Sequence, residues 1–264
     1  MLMLSTQEDG GMGAGDLQIW LNHFEHHARH PRCIPHRLSD VLEADERKLI
    51  ASSMATFQLG EQSEGRTLLR ATERFARHKQ VPHLLRIIEL LVREEQRHAA
   101  QLRAFMQDHQ LPLKTTDWTD RIFRLVRRLA GLQLQVSVLI CAELIGIVYY
   151  RALETATDCE RLRVLCRTIV CDELAHVGFE SQLLFGLRAG AAAYSQPLTR
   201  LAHRIFFAAT TAVVWLTHRS VLRKAGHSGW SFLRCCRAQY EFYLEATIGL
   251  HDRGVQNAAK SPNQ

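Results

Sequence analysis

Four long stretches of this chain repeat apolar residues at alternating steps of three and four. Each breaks that seam with glutamate where the pattern calls for a core side chain. The first seam reads Ile50, Met54, Phe57, Glu61, Glu64, Leu68, Ala71, Phe75, and the second Leu84, Ile88, Leu91, Glu95, His98, Leu102, Phe105. The third is Val136, Ile140, Glu143, Ile147, Tyr150, and the fourth Leu162, Cys166, Ile169, Glu173, His176, Glu180, Leu183. Steps of three and four mark helices with one buried face. No stretch alternates with the period of two that a half-buried strand needs, so an all-α chain is expected.

Glutamate in a core seam is expensive. It is almost never fully buried unless paired, and an isolated buried carboxylate costs several kcal/mol. Glu143 is the sharpest case, the one charge in the 22-residue run from Leu129 to Tyr150. None of the four seams puts Lys or Arg at the matching level. Four carboxylate-bearing seams therefore need positive charge from elsewhere, and metal cations would supply it.

The spacing suits such ligands. Glu95-Gln-Arg-His98 and Glu173-Leu-Ala-His176 are both ExxH, and residues three apart on a helix share a face. One ExxH is weak. The order Glu, ExxH, Glu, ExxH, each on its own helix, is the specific signal. Glu64 precedes Glu95 by 31 residues and Glu143 precedes Glu173 by 30. Two helical hairpins with short loops would bring each pair to one level. That match puts Glu64 first as the ligand on the first helix, with Glu61, one turn away, as the alternative. Carboxylates with one imidazole per ion suit iron or manganese better than zinc.

With these residues in place, the stretches FQLGEQSEG, EEQRH, AELIGIVYYRAL and DELAH, within about residues 45–185, resemble the ferritin-like di-iron carboxylate superfamily. Rubrerythrins, the small subunit of ribonucleotide reductase and bacterial multicomponent monooxygenases share that layout. The resemblance implies a ferritin-like four-helix bundle with additional N- and C-terminal helices. It implies that Glu64, Glu95 and His98 serve one iron and Glu143, Glu173 and His176 the other, with two carboxylates bridging. Manganese or a mixed pair is also compatible. No CxxC pair for a rubredoxin-type centre is present, so a complete rubrerythrin is not expected.

The rest of the chain is read around this core. Residues 1–42 form a tail and a short helix from about Asp16 to His30, with Leu17, Trp20, Leu21 and Phe24 on one face. His23, His26, His27, His30 and His36 follow closely and read as a solvated face rather than a metal site. Residues 43–190 carry the bundle. Its helices are expected over about 43–78, 82–109, 117–157 and 159–189, with Pro82 opening the second. Residues 191–252 supply two helices, about 197–226 and 231–251, that cover the bundle or form a dimer contact. Residues 253–264 are expected to be a disordered tail. Asp172 and Glu94 point off their seams and read as exposed. Glu180, four after His176, reads either as a group orienting that imidazole or as a surface residue. Tyr150 reads as a packed core tyrosine ahead of an electron shuttle.

Hydrophobic residues make up 47% of the 264-residue chain, enough for a sizeable core. The net charge of +6 comes from Lys and Arg spread along helices with no nucleic-acid motif, so no nucleic-acid partner is expected. Seven cysteines without zinc spacing, and no secretory signal peptide, point to a reducing cytoplasm. Of the two apolar runs, 205–216 is too short to span a bilayer, and 129–150 contains Gln133, Gln135 and Glu143, so stable membrane insertion is not expected. The resulting functional expectation is an oxidoreductase that activates O2 at a di-iron site to oxidise a small organic molecule. An electron-donor protein and a homodimer are its possible partners. A lining of Ile140, Ile147, Tyr150, Leu91 and Leu102 is expected for the substrate. Ferroxidase or iron-handling activity is the first alternative, and a non-enzymatic helical interaction protein the second.

Overall fold

The computed structural model describes residues 13–35, 38–62, 65–117, 131–189 and 196–245. Among these every regular element is helical, and there is no strand. The helices are α1 (Ala14–Arg29), α2 (Ala44–Glu61), α3 (Arg66–Lys79), α4 (Pro82–Asp108), α5 (Leu132–Ala156), α6 (Glu160–Ala189), α7 (Gln196–Lys224) and α8 (Gly229–Tyr240). A π-helical turn, Glu241–Glu245, continues α8. Residues 1–12, the expected tail at 253–264, the end of the last expected helix, 246–251, and the start of the third, 118–130, lie outside the described residues.

The first long helix differs from expectation: it is two helices. α2 ends at Glu61, and Gly65 adopts φ +62° at the head of α3. This left-handed conformation is cheap only for glycine. A Cβ at residue 65 would also lie 2.6 and 2.7 Å from the two methyls of Val92. The break thus needs both the backbone freedom and the missing side chain. α2 ends on Glu61, one of the two glutamates considered for this helix.

α4, α6 and α7 begin and end close to where their sequence signals stand, but α5 begins only at Leu132, after an extended Gly131, so the helix expected over about 117–157 is not continuous. Pro82 occupies the first turn of α4, where its missing N–H costs nothing. The Ser228 hydroxyl accepts from the Ser231 backbone N–H and caps α8.

One continuous core runs from Leu17 in α1 to Leu244 after α8. At its centre α5 is buried nearly all round, which accounts for its apolar composition. α5 packs most extensively along α6, and α4 packs against α2, α3 and α6. α3 closes on α5, so that α2 with α3, α4, α5 and α6 enclose a common interior. α7 lies on α5 and α2, and α8 on α7 and α5. α1 lies along α4 with Leu17, Leu21 and Phe24 turned inward.

Two helices, Leu132–Ala156 and Pro197–Lys224, are long and apolar enough to cross a membrane by length and composition. The second corrects the short apolar run read from the sequence, because apolar residues extend the helix on both sides of 205–216. The first is mostly buried in the core and the second mostly is not.

Candidate metal centre

The glutamates that interrupt the four seams converge. Glu61, Glu95, His98 and Glu173 bring one ligating atom each within 4.8 Å of one another, and so do Glu95, Glu143, Glu173 and His176. Glu95 and Glu173 belong to both groups, so the two groups are adjacent and share two carboxylates. The ExxH pairs on α4 and α6 supply the shared glutamates and both imidazoles. α2 and α5 each add one terminal glutamate.

On the first helix the residue in the cluster is Glu61, the last residue of α2. Glu64 lies outside the described residues. The equal-spacing argument for Glu64 assumed an unbroken helix, and the break before Gly65 removes that assumption. Glu61 is further held by Tyr150, whose hydroxyl donates to its Oε1 at 2.6 Å. Tyr150 is thus a core tyrosine, as its burial requires, and also touches a cluster carboxylate.

The inner distances are ones that a metal-ligand shell could adopt. His98 Nδ1 lies 3.3 Å from Glu173 Oε1, and His176 Nδ1 lies 3.4 Å from Glu173 Oε2. Each oxygen of Glu173 therefore faces a different imidazole. Glu95 Oε1 lies 3.0 Å from His176 Nδ1 and 3.8 Å from His98 Nδ1. Ligands about 2.1 Å from one ion and at right angles lie about 3.0 Å apart. Yet Glu95 Oε1, His98 Nδ1, both oxygens of Glu143, Glu173 Oε2 and His176 Nδ1 are buried without a hydrogen-bond partner. Buried polar atoms are nearly always satisfied, so this many in one place call for another group between them. A pair of cations answers all of them at once.

Electrostatics agree. Burial, then the negative charges of Glu95 and Glu173, push the Glu61 carboxyl well above the usual range. Burial, then Glu180 and Glu173, do the same to Glu143. Burial alone would lower the imidazoles. The Nε2 bond to Asp172 and the nearby carboxylate of Glu173 overcome it and raise His98 to about 10, and the nearby carboxylate of Glu173 and the Nε2 bond to Glu94 raise His176 well above its ordinary value. Protons thus stand in for missing positive charge, and cations binding here would displace them.

The outer nitrogens reveal what the sequence reading missed. Asp172 accepts from His98 Nε2 at 3.0 Å, and Glu94 accepts from His176 Nε2 at 3.0 Å. Each acid immediately precedes the ExxH of its own helix and holds the histidine of the other. Both are buried, at 0% and 5% exposure, which overturns the reading of Asp172 and Glu94 as exposed. An adjacent residue sits about 100° round the helix, which here turns it into the seam between α4 and α6. The repeated acid in EEQRH and DELAH was the available signal.

Arg97 Nη2 ties the pair together, donating to Glu94 at 2.5 Å and Asp172 at 2.8 Å, and Arg32 also donates to Asp172. His27 of α1 approaches Glu94 and Asp172 at 3.7 and 3.9 Å. Phe24 stacks on His176 with ring centroids 5.8 Å apart. The histidine-rich segment is therefore divided. His26 and His30 are exposed as expected, but His27 and half-buried His23 belong to the cover over the centre. His36 lies outside the described residues. Glu180 does not take the outer nitrogen of His176, which Glu94 occupies. It lies buried, and burial raises its carboxyl well above the usual range.

On the side away from the imidazoles the cluster opens. Glu61, Glu95, Glu143 and Glu173 form part of the wall of a cavity of about 330 Å³ between α2, α5 and α7. Its other walls are largely apolar, including Phe57, Ile145, Phe206 and Val213. Tyr150 lines it, but Ile140, Ile147, Leu91 and Leu102 do not: they pack into the core on other faces of their helices. α7 is thus a cavity wall as well as a cover.

Comparison of the chain with protein-family profiles, with characterised proteins and with solved structures finds no match.

Proposed function

We propose that this chain is a ferritin-like di-iron carboxylate oxidoreductase that uses dioxygen to oxidise a small organic molecule in the cavity beside the cluster. In this reading Glu61, Glu95 and His98 would hold one ion and Glu143, Glu173 and His176 the other, with Glu95 and Glu173 common to both groups. Oxygen ligands with one imidazole each favour iron, with manganese as the nearest substitute. When bound, a pair of Fe(II) ions supplies two electrons for dioxygen activation, and an external donor protein restores them.

The residues of the chain do the rest. Asp172 and Glu94 hold the outer N–H of each imidazole and so turn the inner nitrogen toward the ions. Arg97 and Arg32 balance those outer acids, leaving the inner carboxylates to the metal. Phe24 and the core side chains exclude water on the histidine side, while the cavity admits substrate on the carboxylate side. The observation that carries the reading is the presence of four cluster carboxylates in the wall of a half-open, mostly apolar cavity. An iron-handling protein needs an acidic path for Fe(II) and Fe(III), and among the described residues the only carboxylates in the cavity wall are the four proposed ligands.

The protein is proposed to be cytoplasmic and soluble, since α5 spends its apolar surface on the core and all seven cysteines are free. Recovery only with membranes would refute this. The test of function is anaerobic loading with Fe(II), elemental analysis, and then many equivalents of Fe(II) under air. Two irons per chain and a single stoichiometric oxidation are expected. Sustained Fe(II) turnover with release or mineralisation of Fe(III) would refute the oxidase reading in favour of ferroxidase. A folded, metal-free protein would refute both and favour an interaction protein.

A further inference from the structure

The wall of the cavity carries one polar group whose hydrogen-bond role can be worked out. Besides the four glutamates and Tyr150, its polar members are Thr56, Thr210, Thr217 and His218. Neither Lys nor Arg lines it among the described residues. The nearby ammonium of Lys114 is occupied, donating to Thr56 Oγ1 at 2.7 Å and Asp117 at 3.1 Å.

His218 Nδ1 lies 2.8 Å from Ser53 Oγ, which lies 2.7 Å from the Tyr149 hydroxyl. Tyr149 is fully buried, and Ser53 is its hydroxyl's hydrogen-bond partner among the described residues. A buried phenol proton left unpaired is costly, so Tyr149 donates to Ser53. Ser53 has one proton of its own, which then goes to His218 Nδ1. That nitrogen must be the acceptor, and a neutral imidazole accepting at Nδ1 carries its hydrogen on Nε2. Burial, then the charge of Lys114, lowers His218 to about 4, so the ring is neutral at physiological pH. Phe57 and Tyr149 hold it, with centroids 4.9 and 5.4 Å away. The ring, which belongs to the cavity wall, therefore carries a fixed N–H donor at Nε2.

Resting on the proposed oxidase reading, we propose that the substrate is an uncharged, largely apolar molecule with an acceptor oxygen, a carbonyl or ether, that the His218 Nε2–H grips to position it beside the carboxylates. An anion would enter a mostly apolar space with no Lys or Arg in its wall among the described residues, beside four carboxylates that already balance the charge of two divalent ions, and an unsubstituted hydrocarbon would leave the imidazole N–H unpaired. At about 330 Å³ the cavity is at the small end of ligand pockets, which run from about 300 to 1,000 Å³. A bicyclic aromatic ketone is a suitable probe.

The test uses the full chain as purified, with metal content measured on the same samples. Binding of 2-acetylnaphthalene, of its near-isostere 2-ethylnaphthalene and of 2-naphthoate is followed by equilibrium dialysis and ligand-observed NMR. The ketone is expected to bind about 5–10-fold more tightly than the hydrocarbon, the effect of one neutral hydrogen bond, and the carboxylate most weakly. His218→Leu should erase the preference while retaining hydrocarbon binding. In the ¹⁵N spectrum of histidine-labelled protein, His218 should be the Nε2–H tautomer, and Ser53→Ala should weaken both that bias and the ketone preference. Equal binding of ketone and hydrocarbon, a preference that survives His218→Leu, or tightest binding of naphthoate would overturn the inference. Failure of the oxidase reading would show instead as missing metal in samples that still discriminate between the probes.

Discussion

Replacing Asp172 with asparagine keeps the shape of the side chain and removes one acceptor from a place where three donors meet. His98 Nε2 at 3.0 Å, Arg97 Nη2 at 2.8 Å and Arg32 Nη1 all point at this fully buried carboxylate. An asparagine offers one acceptor oxygen and turns its NH2 toward a donor. His98 then loses the anion that holds its outer N–H, and its inner nitrogen becomes a weaker, less well-aimed ligand. Partners of this kind change metal affinity by about 10–100-fold, or about 1.4–2.7 kcal/mol. The crossed arrangement makes the prediction selective. Asp172→Asn should weaken the ion held by His98, and Glu94→Gln the ion held by His176. Co(II) titration against a chelating indicator, with circular dichroism to establish folding, would read two equal tight sites in the parent. In each variant it would read one tight and one weakened site. Folded variants that both retain two sites of parental affinity would refute the role assigned to the outer acids.

Other expected outcomes follow from the same geometry. Glu61→Ala and Glu143→Ala should each lose about one metal of two, whereas Glu95→Ala or Glu173→Ala should lose both, because only the latter pair belongs to both groups. Equal loss in all four variants, by elemental analysis, would contradict the bridging assignment. Gly65→Ala must pay about 1–2 kcal/mol for its left-handed backbone and also meet the Val92 methyls. Urea unfolding should show a loss of at least that size, partly restored by Val92→Ala, and an unchanged midpoint would contradict the break at this position. Burial, then the Arg188 charge, depresses His203 to about 4 from an ordinary 6.5. On acidification the unfolded chain takes up this proton first, so the stabilisation present above about pH 6.5 is lost as pH falls toward 4. By pH 5 the loss is about 2 kcal/mol. The stability difference between the parent and His203→Gln should shift by that amount between pH 7 and pH 5, and a pH-independent difference would refute the assignment.

Much of the fold was legible from local pattern. The apolar seams at steps of three and four placed α4, α6 and α7 to within a few residues, since helix formation and one-sided burial share one period. Glu95, His98, Glu143, Glu173 and His176 were legible for a related reason: a carboxylate in a core seam contradicts its surroundings unless something charged meets it. The break between α2 and α3 was less visible. A single glycine is common in helices, and only the approach of Val92, 27 positions away, makes residue 65 intolerant of a side chain.

The sequence by itself determined an all-helical chain and which helices carry ligand-type residues, because those depend on spacing within one helix. Tertiary structure decided the terminal glutamate of α2, the crossing of Asp172 and Glu94 to the opposite histidines, and the use of α7 as a cavity wall. Each of these depends on how one helix is rotated and displaced against another. Spacing along a single helix carries no record of that rotation. A residue one position off the seam, such as Glu94, reads as exposed until the neighbouring helix arrives to cover it.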